Sequence, residues 1–235
     1  MLKEAIILAG GFGTRLKDVT GDTPKPMALI NNRPFLEYQL SFLDSWGVNH
    51  VILSLGYKAD IIKNYFGDKF KNIELTYSIE KEPLGTGGAI KLAFSEIRGH
   101  AAFALNGDTL FDVNLKRLTD CMRIRNSKFC IALRYSWEPD RYGSVELDKN
   151  AMIVKFYEKG KDGDENLING GLYAINKDYF LNLDLPDKFS VEKDFFEKYY
   201  KTEQLFGFRC HSYFIDIGIP SDFQKAQDEF KSLPY

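Results

Sequence analysis

A glycine-rich turn follows directly on a short apolar run near the start of the chain, in the segment LAGGFGTRLKDVTGDTPKPM at residues 8–27. The run before it, EAIIL at residues 4–8, has the length and composition of a strand. Gly10, Gly11 and Gly13 let the backbone approach a phosphate chain without a Cβ in the way, and they leave amides free to donate. Arg15 and Lys25 add fixed positive charge beside that turn. Spacing excludes two neighbouring glycine motifs. The P-loop needs Gly followed four residues later by Gly-Lys-Ser/Thr, and the dinucleotide fingerprint needs a third Gly where this chain has Leu16. The segment is a phosphate cradle of another kind.

A chain of 235 residues, 44% hydrophobic and 14% aromatic, can bury one large core, so one domain with an insertion is expected rather than two domains. A formal net charge of −2 argues against a nucleic-acid or anionic-membrane surface, where a basic stripe is expected. No apolar run approaches the ~20 residues of a membrane span. The N-terminal apolar run is also shorter than the roughly 7 to 15 residues of a signal-peptide core, which gives the expectation of a cytoplasmic protein. Cys121, Cys130 and Cys210 are odd in number, far apart in sequence and outside any Cys-x-x-Cys pair. They read as buried small hydrophobes, not as zinc ligands or a disulfide frame.

Strand-like and helix-like segments alternate over the first 110 residues. Residues 51–55, 73–79 and 101–105 are apolar, strand-length runs bounded by Gly, Asp or Asn. Between them Leu36, Leu40 and Leu43 keep a helical stripe that stops at Gly47, and a second helix from Ala59 stops at Gly67. Such alternation predicts βαβ units, a mainly parallel sheet and helices on both faces. Beyond Lys128 the rhythm shortens. Runs at 129–134, 143–147 and 152–158 predict hairpins laid against the edge of the main sheet as a small β-rich lobe. Two helices and a strand pair complete the chain, the last helix opening with a capping box from Ser221 to Gln224.

The strand at 101–105 runs into Asn106-Gly107-Asp108, and Tyr213-Phe214-Ile215-Asp216-Ile217-Gly218 repeats the pattern of an apolar strand ending in Asp then Gly. Open α/β sheets bind ligands at the carboxyl ends of strands, so both aspartates are delivered to one functional edge. Two carboxylates suit Mg²⁺, which takes one or two of them plus substrate phosphates and water. A second glycine-rich loop, EKEPLGTGGA at residues 80–89, follows the strand at 73–79. Guanine offers adjacent N1-H and N2-H donors that one carboxylate accepts bidentately, whereas uracil and thymine place an acceptor beside N3-H and suit an amide. Glu80, with Glu82 in reserve, is the acceptor expected from loop position. His50, His100 and His211 lie outside every motif, so no nucleophile with a base beside it is indicated.

The pattern LAGG-x-GTRL with T-x-x-x-PKPM resembles the signature of the sugar-1-phosphate nucleotidylyltransferases. That resemblance covers the whole chain and implies a Rossmann-like, three-layer α/β/α nucleotidyltransferase fold in a single domain, residues 1–127 serving the nucleotide and 128–235 the sugar phosphate. It implies that Arg15, Lys25 and Asp108 are catalytic and that Asp108 and Asp216 hold Mg²⁺. Leu8, Ala9, Gly10, Gly11, Gly13, Thr14, Glu80, Pro83, Gly85, Thr86 and Gly107 would bind the nucleotide. Glu158-Lys159 resembles the family's Glu-Lys pair for the sugar phosphate, although Gly160 stands where many members have Pro. Gly143 and Asn169 would join them around the sugar.

Within the family, the E-x-E-P-L-G-T-x-G loop is similar to that of mannose-1-phosphate guanylyltransferases. With NGDTLFDV at 106–113 it resembles most closely the D-glycero-α-D-manno-heptose 1-phosphate guanylyltransferases, which make GDP-heptose for capsule or lipopolysaccharide. An N-acetylmuramate or other hexose 1-phosphate uridylyl- or guanylyltransferase is the rival reading, and a non-catalytic nucleotide-sugar sensor the alternative of another class. The implied partners are GTP or another nucleoside triphosphate and a sugar 1-phosphate, without nucleic acid or membrane, in a monomer or homodimer. No C-terminal β-helix domain is expected after Tyr235.

Overall fold

The structure, a computed structural model, describes residues 1–11, 21, 23–136, 144–157 and 167–235. Gly13, Thr14, Arg15, Gly143, Glu158 and Lys159, all assigned to the site from sequence, lie outside the described residues.

The described strands are β1 (Glu4–Leu8), β2 (Leu29–Ile30), β3 (Arg33–Pro34), β4 (His50–Leu55), β5 (Lys69–Phe70), β6 (Ile73–Ile79) and β7 (Ala101–Asn106) in the first part of the chain. They continue as β8 (Thr109–Phe111), β9 (Phe129–Tyr135), β10 (Ser144–Leu147), β11 (Ile153–Tyr157), β12 (Leu167–Asn176), β13 (Leu205–Cys210) and β14 (Phe214–Asp216). Ten strands make one sheet in the order β11-β10-β12-β7-β1-β4-β6-β5, with β9 and β13 attached through β12.

At its centre β7, β1, β4 and β6 run parallel. Alternate residues face opposite apolar layers. Ala5, Ile7, Val51, Leu53, Phe103 and Leu105 point to one, while Ile6, Ile52, Ala102 and Ala104 point to the other. Strands covered on both faces read as near-continuous apolar runs, which is why β1, β4 and β7 were readable, whereas β6 leaves Glu74 and Ile79 exposed. The helix Phe35–Ser45 covers the first face with Leu36, Leu40 and Leu43, and the helix Gly85–Ala93 covers the second with Ile90 and Ala93. The Rossmann-like α/β expectation therefore holds. From β1 the chain moves to β4 and β6 on one side and returns to β7 on the other. The switch in direction falls between the carboxyl ends of β1 and β7, the place where such sheets bind ligands.

The second half departs from expectation. Only β10 and β11 form the anticipated hairpin. β12 lies antiparallel to β7 on one edge and to β9 on the other, so β9 and β12 extend the main sheet, while the β10–β11 hairpin stands at its edge as expected. The register of β12 shifts between Asn169 and Tyr173. Gly171 there has a φ of +67°, and a Cβ on Gly170 would lie 2.4 Å from the Phe111 ring. β13 and β14 do not pair with each other. β13 runs parallel to β9, and β14 completes β8, which the main sheet leaves without a partner. The last helix, Pro220–Glu229, starts from Ile219 with no side-chain cap, so the Ser221 capping box is not formed. Pro220 takes the first turn, where its fixed φ and missing N–H suit a helix start. Among the described residues no helix is long and apolar enough to cross a membrane.

Cys121, on the helix Leu115–Ile124, and Cys130, on β9, meet with their sulfurs 3.6 Å apart. Hydrogen bonding from Cys130 outweighs burial and, helped by Arg125, lowers the Cys121 thiol to about 7, whereas bonding to Cys121 and burial push Cys130 up. Alkylation by iodoacetamide, mapped by peptide mass, should modify Cys121 with a midpoint near pH 7 and spare Cys130. A midpoint at the ordinary thiol value of about 8.5 would show that neither neighbour acts on it.

Candidate active site

The site is built around the closest approach of two strand ends. Where β1 and β7 finish, the Gly107 amide donates to Leu8 O at 2.9 Å. A Cβ on Gly107 would stand 2.3 Å from that same oxygen. Glycine is needed here for the strand junction itself, whereas the sequence reading had assigned it to nucleotide approach. Gly10 is confined in the same way by Glu80 Oε1 at 2.8 Å and Gly56 N at 3.1 Å from a built Cβ. Gly11 has no atom of the described residues within 4 Å of such a Cβ.

A cavity of about 320 Å³ opens over this junction. Leu8, Ala9, Gly10, Gly11, Lys25, Glu80, Pro83, Gly85, Thr86, Gly107 and Asp108, all expected from sequence, line it. Pro26, Ala89 and Asn106 line it too and were missed. Asn106 could have been found, since it directly precedes the Gly107-Asp108 pair. Pro26 and Ala89 carry no chemical signal beyond adjacency to the motifs.

The Pro24-Lys25-Pro26-Met27 segment makes one 3-10 turn, with Met27 N bonded to Pro24 O at 2.8 Å and Ala28 N to Lys25 O at 3.0 Å. Pro26 and Met27 are buried, which fixes the turn and directs Lys25 inward. Its ammonium lies 2.5 Å from Asp108 Oδ2, with the lysine side chain only 11% exposed. The β8–β14 ladder sets Asp216 opposite Thr109, and Ile217 N bonds Asp108 O at 2.9 Å. A Cβ on Gly218 would lie 2.7 Å from Asp216 Oδ1 and 3.2 Å from Lys25 Nζ, so both aspartates and the lysine share one corner. Among the described residues no cluster of three or more His, Cys, Asp or Glu side chains is arranged for a metal. Two carboxylates, Asp216 at the end of β14 and Asp108 just before its partner β8, beside a cleft able to take phosphates, are a donor set of the kind Mg²⁺ uses.

The second glycine loop is held from the far half of the chain. Leu84 O accepts from Phe189 N at 2.9 Å, and Phe189 O accepts from Gly87 N at 3.0 Å and Gly88 N at 3.3 Å. A Cβ on Gly85, Gly87 or Gly88 would come within 2.5, 2.1 or 2.2 Å of Phe189 or Asp187 atoms. These glycines make room for the 187–189 segment. Thr86 Oγ1 donates to Glu192 Oε2 at 2.7 Å and accepts from Val191 N at 2.9 Å, so its hydroxyl is already engaged. Glu80 accepts from Leu84 N through Oε2 at 2.9 Å, leaving Oε1 with Ser54 Oγ at 3.5 Å. Glu82 is exposed and does not line the cavity.

Asn169 is not among the cavity-lining residues. Its amide bonds Tyr173 OH at 2.8 Å and Gly171 N at 2.9 Å across the register shift of β12. Burial, with Glu192 nearby, raises the Tyr173 hydroxyl well above its ordinary value and keeps it a neutral link.

The sequence profile of the family described as nucleotidyl transferase matches residues 4–232. A D-glycero-alpha-D-manno-heptose 1-phosphate guanylyltransferase from Aneurinibacillus thermoaerophilus is 46% identical over 228 residues, covering 97% of this chain and 98% of that protein. One of the same description from Campylobacter jejuni subsp. jejuni serotype O:2 is 46% identical over 222 residues, covering 94% and 96%. The crystal structure of HddC from Yersinia pseudotuberculosis superposes with a TM-score of 0.86 at 40% identity, covering 97% of this chain and 100% of that one. HddC has also been solved in complex with GMP-PN.

Replacing Thr86 with Val keeps its shape and strips Val191 N and Glu192 of one partner each. Urea denaturation should show a loss of about 1–3 kcal/mol with an unchanged m-value. A loss below about 0.5 kcal/mol, the range of an ordinary surface change, would mean that the hydroxyl does not anchor the loop.

Proposed function

This chain belongs to the nucleotidyl transferase family, and on that premise we propose that it transfers the guanylyl group of GTP to D-glycero-α-D-manno-heptose 1-phosphate, giving GDP-heptose and pyrophosphate. The observation that carries the proposal is the 46% identity to guanylyltransferases of that sugar phosphate over nearly the full length of both chains. GDP-heptose made in the cytoplasm would then supply a surface polysaccharide.

The reaction brings two anions together at one phosphorus. A sugar 1-phosphate oxygen is already an ionised nucleophile, so the protein has to align it with the α-phosphorus and offset charge repulsion while pyrophosphate leaves. In this reading Gly11 offers its backbone to the triphosphate, and Lys25 with Arg15 balances its charge. Lys159 pairs with the attacking phosphate. Glu158, Gly143 and Asn169 receive the sugar, Asn169 through the amide hydrogen that Tyr173 does not take. Asp108 and Asp216 would hold Mg²⁺, which supplies further positive charge to the phosphates when bound. Residues 1–127 thus carry most nucleotide contacts and 128–235 those to the sugar.

Pyrophosphate release measured with GTP, ATP, UTP and CTP against heptose, mannose, glucose and N-acetylmuramate 1-phosphates tests the substrate assignment. The highest kcat/KM should fall on GTP with the heptose phosphate. A maximum at UTP with N-acetylmuramate 1-phosphate would overturn it. In the same assay Asp108→Asn and Asp216→Asn should each lower the rate by about a hundredfold, roughly 3 kcal/mol of transition-state stabilisation. Near-normal turnover of either variant with Mg²⁺ would remove that residue from the metal set.

Base choice rests on Glu80. Because Leu84 N requires an acceptor at one end of this side chain, Glu80→Gln must turn its amide oxygen there and present NH₂ to guanine's donors. That mismatch should cost about 1–3 kcal/mol, or five- to a hundredfold in GTP preference over UTP, read from competition between mixed triphosphates. An unchanged preference would assign the guanine edge to other groups.

A further inference from the structure

We infer that Gln39 is a positioning residue for Asp108, an inference that rests on the catalytic reading of Asp108 and extends it to the helix behind the site. Gln39 sits in the middle of the helix Phe35–Ser45 and is completely buried. Its neighbours on that face, Phe35, Leu36, Leu40, Phe42 and Leu43, are all apolar and fully buried. Its single amide nitrogen donates to two backbone carbonyls, Asn106 O at 2.8 Å and Thr109 O at 2.7 Å. Those two residues bracket Gly107-Asp108.

The four-residue turn is held at each of its positions. Asn106 O and Thr109 O are bonded by Gln39, Gly107 N by Leu8 O from β1, and Asp108 O by Ile217 N just beyond β14. An amide with two hydrogens is the one neutral group of this size that can serve both bracket carbonyls at once. The arrangement has a cost, since Gln39 Oε1 has no hydrogen-bond partner among the described residues. A buried acceptor left so costs about 1–3 kcal/mol, which a leucine in this apolar layer would avoid. The amide earns its place through the turn it holds.

The same helix also anchors the turn that bears the opposite charge. Phe35 N, at its first residue, bonds Ala28 O at 2.9 Å, and Ala28 closes the turn that directs Lys25. Lys25 and Asp108 are 83 residues apart in sequence. They are referenced to one rigid element, Lys25 through Ala28 and Asp108 through Gln39. Displacing the bracket carbonyls swings the Asp108 carboxylate relative to both Lys25 and Asp216.

The test compares wild type, Gln39→Leu, Asp108→Asn and the double variant by thermal denaturation, steady-state pyrophosphate release and Mn²⁺ binding in the presence of GTP, followed by loss of the free-ion EPR signal. Gln39→Leu should remain folded, lower kcat by about tenfold or more, leave the KM for GTP within about twofold, and weaken Mn²⁺ binding. In the Asp108→Asn background it should change kcat by less than about twofold while still shifting the melting temperature, because its effect on rate passes through Asp108. Equal effects in both backgrounds would reduce Gln39 to packing and overturn the inference, as would wild-type kcat and Mn²⁺ affinity in Gln39→Leu. Full activity of Asp108→Asn by itself would instead remove the catalytic reading, and the inference with it. If Gln39→Leu does not fold, Gln39→Glu decides. Its protonated acid can serve only one carbonyl and its anion neither, so kcat relative to wild type should fall as pH rises, and a flat ratio overturns the proposal.

Discussion

One hydrogen bond, from the Gly107 amide to the Leu8 carbonyl, joins the two strand ends between which the sheet changes direction. The crevice opens at the carboxyl ends of β1 and β7, where the strand order changes direction. Everything that faces the cavity is placed relative to this contact. The first glycine turn leaves β1 immediately after Leu8, Asp108 leaves β7 two residues past its end, and β14 reaches the site by pairing with the short strand that follows Asp108. A side chain at residue 107 would push the two ends apart and separate the phosphate-facing backbone from the carboxylates.

The electrostatics follow from the same packing. Lys25 is buried to 11% exposure, and Asp108 at 2.5 Å is the group that compensates it. Removing the carboxylate from such a pair leaves a desolvated cation, whose penalty exceeds the worth of an exposed ion pair several times over. A proline-flanked lysine and an aspartate 83 residues away in the chain thus form a charge-balanced floor, with Gly10, Gly11 and Gly85 among its walls.

β1, β4 and β7 at the centre of the sheet were legible in the sequence because strands covered on both faces leave a near-continuous apolar run, and the helices because their stripes stop at glycines. The motif residues were legible for a different reason: glycine, lysine and aspartate at strand ends have few other uses. What stayed hidden was pairing between distant segments. The sequence reading set β13 and β14 together because they are neighbours in the chain, but free edges, not proximity, chose their partners. It gave the second glycine loop to the ligand, although Gly87 is also needed against the Phe189 ring and Gly88 against the Asp187 carbonyl, contacts across about a hundred residues that no local pattern records. Nothing local marks Gln39, whose two carbonyl partners lie 67 and 70 residues along the chain. Asn169 carried a signal of family resemblance only, and the bonds that its oxygen and one amide hydrogen make within β12 follow from a register shift that no local pattern records. Six further site residues lie outside the described residues.

The stitching of the 84–88 segment to residues 185–192 has a consequence for how nucleobase choice can change over evolution or by design. Phe189 fills the space left by the loop glycines, and Glu192 takes the Thr86 hydroxyl. The loop is therefore not a cartridge. A graft of another enzyme's base-reading loop would arrive without the surface that shapes it, and any bulkier residue it brought would meet the Phe189 ring or the Asp187 carbonyl. Specificity in this scaffold is inherited as a matched pair of segments from opposite halves of the chain, exchanged together or not at all.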